Sequence, residues 1–340
     1  MKKIFFLFFI CLVLIFGLAF FLWSGIYLPK DKNAVEEKLF FIEQGKGVEE
    51  IAINLDNQGL IKHQLLFKFY VLVRGISPNL QTGVYKLSPS MSISEIVNKI
   101  TTGDVYTKRI TILEGYSIRQ IEREFSETFN REMDFNQFYA SDLEDQFKFL
   151  KDVPEGRGLE GFLFPDTYLF DYLVSEEEII RTMLRNFDRK LTAEIREEII
   201  KQEKSIYEII IMASLLEKEV RILEDKKLVS DIFWRRIELN MPLQIDATIV
   251  YVLQGENWTF DQMRREVRAN KNIDSLYNTY LNRGLPIGPI SNPGINSILA
   301  AIQPRSNQYL FFLSTPEGET IFSRTYEQHK NAINRYLNAN

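Results

Sequence analysis

Ile209-Ile210-Ile211-Met212-Ala213-Ser214-Leu215-Leu216-Glu217-Lys218-Glu219-Val220-Arg221 begins apolar on every side and ends in two carboxylates. A helix that is apolar all round has to be buried in a core. Glu217 and Glu219 then reach the rim of that core, where solvation is poor. Poor solvation raises a carboxyl pKa, and a general acid working near neutral pH needs a raised pKa. The plainer alternative puts both glutamates on a wet surface just past the buried turns, as most glutamates are. Residues i and i+2 on a helix point about 200° apart, so the two acids cannot both reach one bond. Upstream, Ser205 and Glu208 have the spacing of a helix start.

Downstream, residues 224–240 read as a second helix with Leu228, Ile232, Phe233 and Ile237 as its buried stripe. Leu243-Gln244-Ile245-Asp246 follows, then an apolar segment over 247–253. In extended backbone Gln244 and Asp246 share one face, a polar pair suited to specific hydrogen bonds. The other reading is that Asp246 caps a helix. Residues 278–294 are dense in Asn, Gly and Pro, and a long irregular loop inside a domain is often functional. Its rigid backbone would hold amides toward hydroxyls and acetamides, with Asn278 at its start and Tyr277 and Tyr280 as stacking faces. Residues 295–302 read as a helix, 309–314 and 320–323 as a hairpin around Pro316-Glu317-Gly318, and the end of the chain as a helix carrying His329.

Upstream of the quoted stretch, residues 175–202 read as helical, with alternating charge on the outer face. Gly156-Arg157-Gly158-Leu159-Glu160-Gly161 matches G-x-G-x-x-G literally, but a dinucleotide site needs a strand before it and a helix after it. Pro154 precedes it and Pro165 would break that helix. The aromatic run 162–168 reads better as a groove wall or a core contact. Residues 105–155 form a connector: a strand at 107–113, then a helix from Ser117 and helical structure up to Asp152. Residues 39–103 alternate strand, helix, helix, strand and helix (39–43, 48–58, 64–74, 83–87 and 92–100), a small α/β module. Residues 4–23 are apolar throughout and follow Lys2-Lys3. About 20 such residues cross a bilayer, whereas a signal peptide has an apolar region of about 7–15. The lysines favour an N-terminus inside, with the rest of the chain outside the cytoplasm.

Composition narrows the chemistry. A net charge of -5 disfavours nucleic acid as a partner. Two histidines, His63 and His329, and one cysteine, Cys11, argue against a metal site. No cofactor is expected. Cys11 lies inside the apolar run, and there is no G-x-S-x-G. Carboxylate chemistry on a glycan remains, with Glu217 or Glu219 as the acid. A glycosidase flanks its bond with two carboxylates, so a partner, where needed, would come from Glu160 or Asp246.

These residues carry a resemblance. The blocks 213–219, 243–246, Tyr277-Asn278-Thr279-Tyr280 and 284–294, with Glu160-Gly161 and 164–168, resemble the endolytic murein transglycosylase family (MltG, or YceG-like). The resemblance covers nearly the whole chain. Val220, Ala247 and Thr320 depart from the residues usual beside these blocks, which touches specificity more than the acid.

The resemblance implies an α+β fold in five parts: a membrane anchor over 1–27, a linker over 28–38, a LysM-like module over 39–104, the connector over 105–155 and a catalytic domain over 156–340. It implies a lyase in the inner (cytoplasmic) membrane that cuts the MurNAc-GlcNAc bond of nascent peptidoglycan strands, leaves a 1,6-anhydro end and terminates elongation. It puts the catalytic acid on Glu219. Glu217, Glu160, Gln244, Asp246, Tyr277, Asn278, Thr279 and Asn292 become candidate substrate-binding or supporting residues. Glycan strands are the implied partner, with penicillin-binding proteins or other synthases as candidates. The competing class is a non-catalytic scaffold that positions those synthases.

Overall fold

The computed structural model describes residues 2–255, 257–315 and 317–337. The chain divides into two compact units, Met1–Arg109 with Leu169–Val174, and Ile110–Tyr168 with Ser175–Asn340. The architecture is mixed α+β.

The first unit opens with α1 (Lys2–Tyr27), an uninterrupted apolar helix long enough to cross a bilayer. Then come β1 (Lys38–Ile42), α2 (Val48–Asn57), α3 (Gln64–Val73), β2 (Gly83–Leu87) and α4 (Ile93–Thr102). β1 and β2 pair antiparallel, from Lys38 opposite Leu87 to Ile42 opposite Gly83. Period-2 alternation buries Phe40 and Ile42. They meet the helical stripes Ile51–Leu55, Phe67–Val71 and Ile96–Ile100 in one core. Ser92 and Glu95 form the capping box expected from their spacing, and Gly103 closes α4 in the left-handed region.

β3 (Thr107–Thr111) follows, then α5 (Ile118–Phe129), started by a Ser117–Gln120 capping box. β3 pairs with β4 (Thr167–Asp171), and the division between the units runs across both strands. Residues 130–152, expected to be helical, are turns and two 3₁₀ segments, Ala140–Asp142 and Lys148–Leu150. The left-handed Asn130 ends α5. Aromatic burial organises the rest: the Phe149 ring lies 4.7 Å from Phe187 and 5.9 Å from Phe162.

The stretch 175–202 is helical as expected, in two pieces: α6 (Glu176–Lys190) and α7 (Ala193–Lys201). Leu191 leaves helical geometry, and the Thr192 side chain accepts from Ile195 N–H to start α7. α8 (Ile206–Glu219) carries the opening stretch and begins with the Ser205–Glu208 capping box. Every residue from Ile209 to Leu216 is buried. Covering an aliphatic side chain stabilises by about 1.5–3 kcal/mol, so this helix anchors the second unit. α9 (Leu223–Glu238) packs on it.

The apolar segment 247–253 is helical, in α10 (Asp246–Val252). Gln244 sits at φ +57 just before it, so it and Asp246 share no strand face. Asp246 is the first helical residue and not the cap, which falls on Ile245. α11 (Phe260–Ala269) was not anticipated, although Thr259 and Gln262 had the capping-box spacing that marks it. α12 (Ile295–Ile302) packs on both α8 and α9. β5 (Phe311–Ser314) and β6 (Thr320–Ser323) make the expected hairpin, whose Pro316 lies outside the described residues. α13 (Tyr326–Tyr336) completes the second unit.

Candidate active site

α8 stops abruptly at Glu219. Val220 is extended at φ -139 and ψ 139, and the Ser314 hydroxyl donates to the Glu219 carbonyl at 3.0 Å. One of the unpaired carbonyls of a helix end is thereby satisfied, and the Glu219 side chain leaves the last turn in a fixed place. It opens into a cleft of about 670 Å³ whose walls include Asp246, Tyr280, Arg236, Gln244 and Tyr251. Trp258, Phe311 and Tyr326 supply aromatic faces to the same cleft. All of these residues belong to the second unit.

The electrostatics of the cleft favour a protonated acid. Glu219 is hemmed in by protein, and the surface it keeps faces the cleft. Burial, reinforced by the Asp246 charge, pushes its carboxyl up to about 8, against a weaker opposing bond from Ala247 N–H. The carbonyl end of α8 acts in the same direction as burial. The Tyr280 hydroxyl donates to Asp246, and burial next to that carboxylate drives the phenol pKa upward, beyond its usual range. Tyr280 therefore stays a donor and holds Asp246 in place.

Glu217 points away from this cleft. It pairs with Lys226 at 2.9 Å, accepts from Gly294 N–H at 2.9 Å and accepts from Ser297 Oγ at 2.7 Å. Only 8% of its side chain and 3% of that of Lys226 are exposed. It thus closes the N-terminus of α12 while pinning α9 to α8. A Cβ on Gly294 would meet the Glu114 carboxyl, so a larger residue there requires the Glu114 side chain to swing away.

Glu160 lies behind the cleft wall. It accepts from Ile118 N–H at 3.2 Å, Tyr251 OH at 3.2 Å and Asn292 Nδ2 at 2.9 Å. Burial pushes its carboxyl up to about 7, with the Ile118 and Tyr251 donors and the Arg119 and Lys218 charges opposing. Asn292 is fully buried and ties three loops together, accepting from Leu163 N–H at 2.8 Å and donating to the Tyr116 carbonyl at 3.0 Å.

Asn278 and Thr279 are buried as well. Asn278 donates to the carbonyls of Lys271 and Ile273 and accepts from Tyr280 N–H at 2.9 Å. Thr279 Oγ1 accepts from Ile245 N–H at 2.9 Å. Together they fix Tyr280 and the start of α10, which aims Asp246. The Tyr277 ring packs 5.0 Å from that of Tyr251. Gln244 is exposed on the cleft and accepts from Arg236 at 3.2 Å. The structure thus brings Glu219, Asp246 and Gln244 to one cleft, sets Glu160, Tyr277, Asn278, Thr279 and Asn292 in the framework around it, and sends Glu217 elsewhere.

Sequence reading missed Arg236, a buried cation on the cleft wall 5.7 Å above the Phe311 ring, which the apolar stripe of α9 gave no reason to select. His329, read only as part of the C-terminal helix, also lines the cleft, where it stacks on Phe311 at 5.4 Å and is kept toward its neutral form by burial and by the Arg236 charge. Among the described residues no group of three His, Cys, Asp or Glu is disposed to hold a metal ion.

The sequence model of the YceG-like family matches residues 40–335. The endolytic murein transglycosylase of Bacillus subtilis (strain 168) is 32% identical over 346 residues, covering 96% of this chain and 92% of that protein. The protein of the same name from Streptococcus pneumoniae serotype 2 (strain D39) is 30% identical over 336 residues, covering 92% of this chain and 60% of its own length. A 2.6 Å crystal structure of a yceG-like protein from Listeria monocytogenes superposes with a TM-score of 0.58 at 32% identity, over 87% of this chain and 99% of that one.

Proposed function

The chain belongs to the YceG-like family, and from that premise we propose that it is a membrane-anchored endolytic transglycosylase of peptidoglycan with Glu219 as its catalytic acid. The lyase class and the peptidoglycan substrate follow from the similarity to the transglycosylases of Bacillus subtilis and Streptococcus pneumoniae. The observation that carries the mechanism is one carboxyl, held near pKa 8 at the end of a buried helix and open to a large cleft.

At neutral pH Glu219 is mostly protonated. It donates its proton to the oxygen that joins N-acetylmuramic acid C1 to N-acetylglucosamine C4, and the bond from C1 to that oxygen breaks, leaving a 4-hydroxyl on the departing sugar. The resulting carboxylate stabilises the oxocarbenium-like C1. The 6-hydroxyl of the muramyl ring then bonds to C1 and returns its proton to Glu219. No water is consumed and the acid is regenerated, so a second reacting carboxylate is unnecessary. Asp246 acts on Glu219 through charge, and Tyr280 positions Asp246. Gln244 meets the strand, and the aromatic faces pack on its sugars. Glu160, Tyr277, Asn278, Thr279 and Asn292 keep the surrounding loops in shape.

α1 anchors the enzyme in the inner membrane, with the bulk outside the cytoplasm. The strand–helix–helix–strand order of β1 through β2 supports a LysM-like module that holds nascent strands while cleavage terminates their growth. Purified uncrosslinked strands, digested with the full chain in detergent, should give internal fragments with 1,6-anhydro ends by mass spectrometry. Fragments with hydrated reducing ends would reject the lyase mechanism. Strands bound but uncut would favour a scaffold for cell-wall synthases.

A further inference from the structure

One helix of the first unit leaves an apolar face uncovered. Leu65, Phe69, Leu72 and Val73 of α3 are 62%, 43%, 66% and 68% exposed. At about 100° per residue they fall within a single arc of roughly 100°. Phe67 and Val71, on the far side of the helix, are fully buried in the core. Leu66 and Tyr70 lie between the two arcs, and they face α1. A Leu66 methyl sits 2.5 Å from where a Cβ on Gly25 would be. The Tyr70 ring meets that of Tyr27 edge-on at 6.1 Å. Just before α3, Lys62 Nζ donates to the Ser24 carbonyl at 3.0 Å.

All three contacts fall on the last turn of α1, which fixes the height of α3 at the point where the apolar helix ends. Trp23 and Tyr27, exposed and 6.4 Å apart, mark the same level. Trp and Tyr gather where a membrane meets water. The uncovered arc of α3 is thus continuous with the side that packs on a helix which itself exposes apolar residues all round. That continuity favours lipid as the occupant over a second copy or another protein.

We infer that α3 is an interfacial helix: Leu65, Phe69, Leu72 and Val73 seat the first unit in the headgroup layer beside the exit of α1. This rests on reading α1 as a membrane span. A helix lying in the interface buries its apolar face about 5–10 Å deep, so the unit is held against the bilayer by two contacts and not by one flexible tether.

The test uses the full chain in vesicles of phosphatidylethanolamine and phosphatidylglycerol. With Cys11→Ala as background, Leu72→Cys and, as a control, Gln44→Cys carry one environment-sensitive fluorophore each; Gln44 lies on an exposed turn. The label at position 72 should be quenched several-fold more than that at 44 by lipids carrying a nitroxide near the headgroup, and several-fold less by aqueous iodide. Equal iodide quenching at both positions would overturn the inference. So would a label at 72 shielded from both quenchers, because a protein surface would then cover the stripe. Washing the same vesicles at alkaline pH separates the two readings. Release of the chain removes the membrane span and the inference with it, whereas a retained chain with an iodide-accessible position 72 sinks the interfacial helix alone.

Discussion

Glu217 and Glu219 sit two residues apart on α8 and end in opposite surroundings. Glu217 is locked against Lys226 at 2.9 Å in a dry junction of three helices. Glu219 opens into the cleft with a carboxyl pushed up to about 8. The helical turn separates them: one acid is paired within the structure, and the other meets no salt-bridge cation among the described residues.

Glu219→Gln keeps the shape of the side chain and removes the acidic proton. It should fold, bind strands and lose cleavage by roughly 10²–10⁴-fold or more, read as release of 1,6-anhydro products. Parent-rate cleavage would remove Glu219 from the role.

The same substitution should make the protein more stable at alkaline pH. A folded pKa of about 8 against an ordinary value of 4.5 means that the native state binds more protons than the unfolded state between those values. Stability conferred by this group is therefore lost as pH rises through that window. Glu219→Gln escapes that loss. Its Tm should exceed that of the parent by a few degrees at pH 8.5, for a difference of at least about 1 kcal/mol, with the gap closing toward pH 5. A gap that does not change with pH would mean that the carboxyl is not held neutral.

Asp246→Asn removes the charge that helps to raise Glu219. Activity should fall in the parent as pH climbs past about 8, where Glu219 loses its proton, and in the variant that alkaline limb should move to lower pH. Tyr280→Phe leaves the charge and removes only the bond that positions it, so the limb should shift less while turnover drops by roughly tenfold or less. An unmoved limb in Asp246→Asn would show that the two carboxyls do not communicate.

Lys226→Met strands the Glu217 carboxylate in the interior. Breaking a buried ion pair from one side costs about 3–5 kcal/mol, which urea denaturation would register. Adding Glu217→Gln should restore part of the loss, and the surviving folded enzyme should turn over within a few-fold of the parent. A loss of less than about 1 kcal/mol for the single variant would mean that water reaches the pair.

The apolar α1 following Lys2-Lys3 predicts a chain retained in the membrane with its bulk outside. Protease added to spheroplasts should degrade both units, and full protection would reject that topology.

Much of this was legible in the chain itself. Capping pairs marked α4 and α8 and a stripe of period 3.6 marked α9, because those signals depend on neighbours within a few residues. The uniformly apolar run 209–216 could only be a core helix, and the i, i+2 spacing already separated Glu217 from Glu219. Local signals failed where burial of aromatic rings overrode propensity, as in residues 130–152 around Phe149. They failed again at α10, where the left-handed Gln244 resets the chain so that Asp246 opens a helix.

What only the tertiary structure decided is which acid faces the cleft and what surrounds it. Lys226 and Ser297 reach Glu217 from α9 and α12, while Asp246 and Tyr280 arrive beside Glu219 from segments tens of residues away. A pKa depends on desolvation and on charges a few ångströms distant, and sequence order carries no record of that distance until the chain has packed.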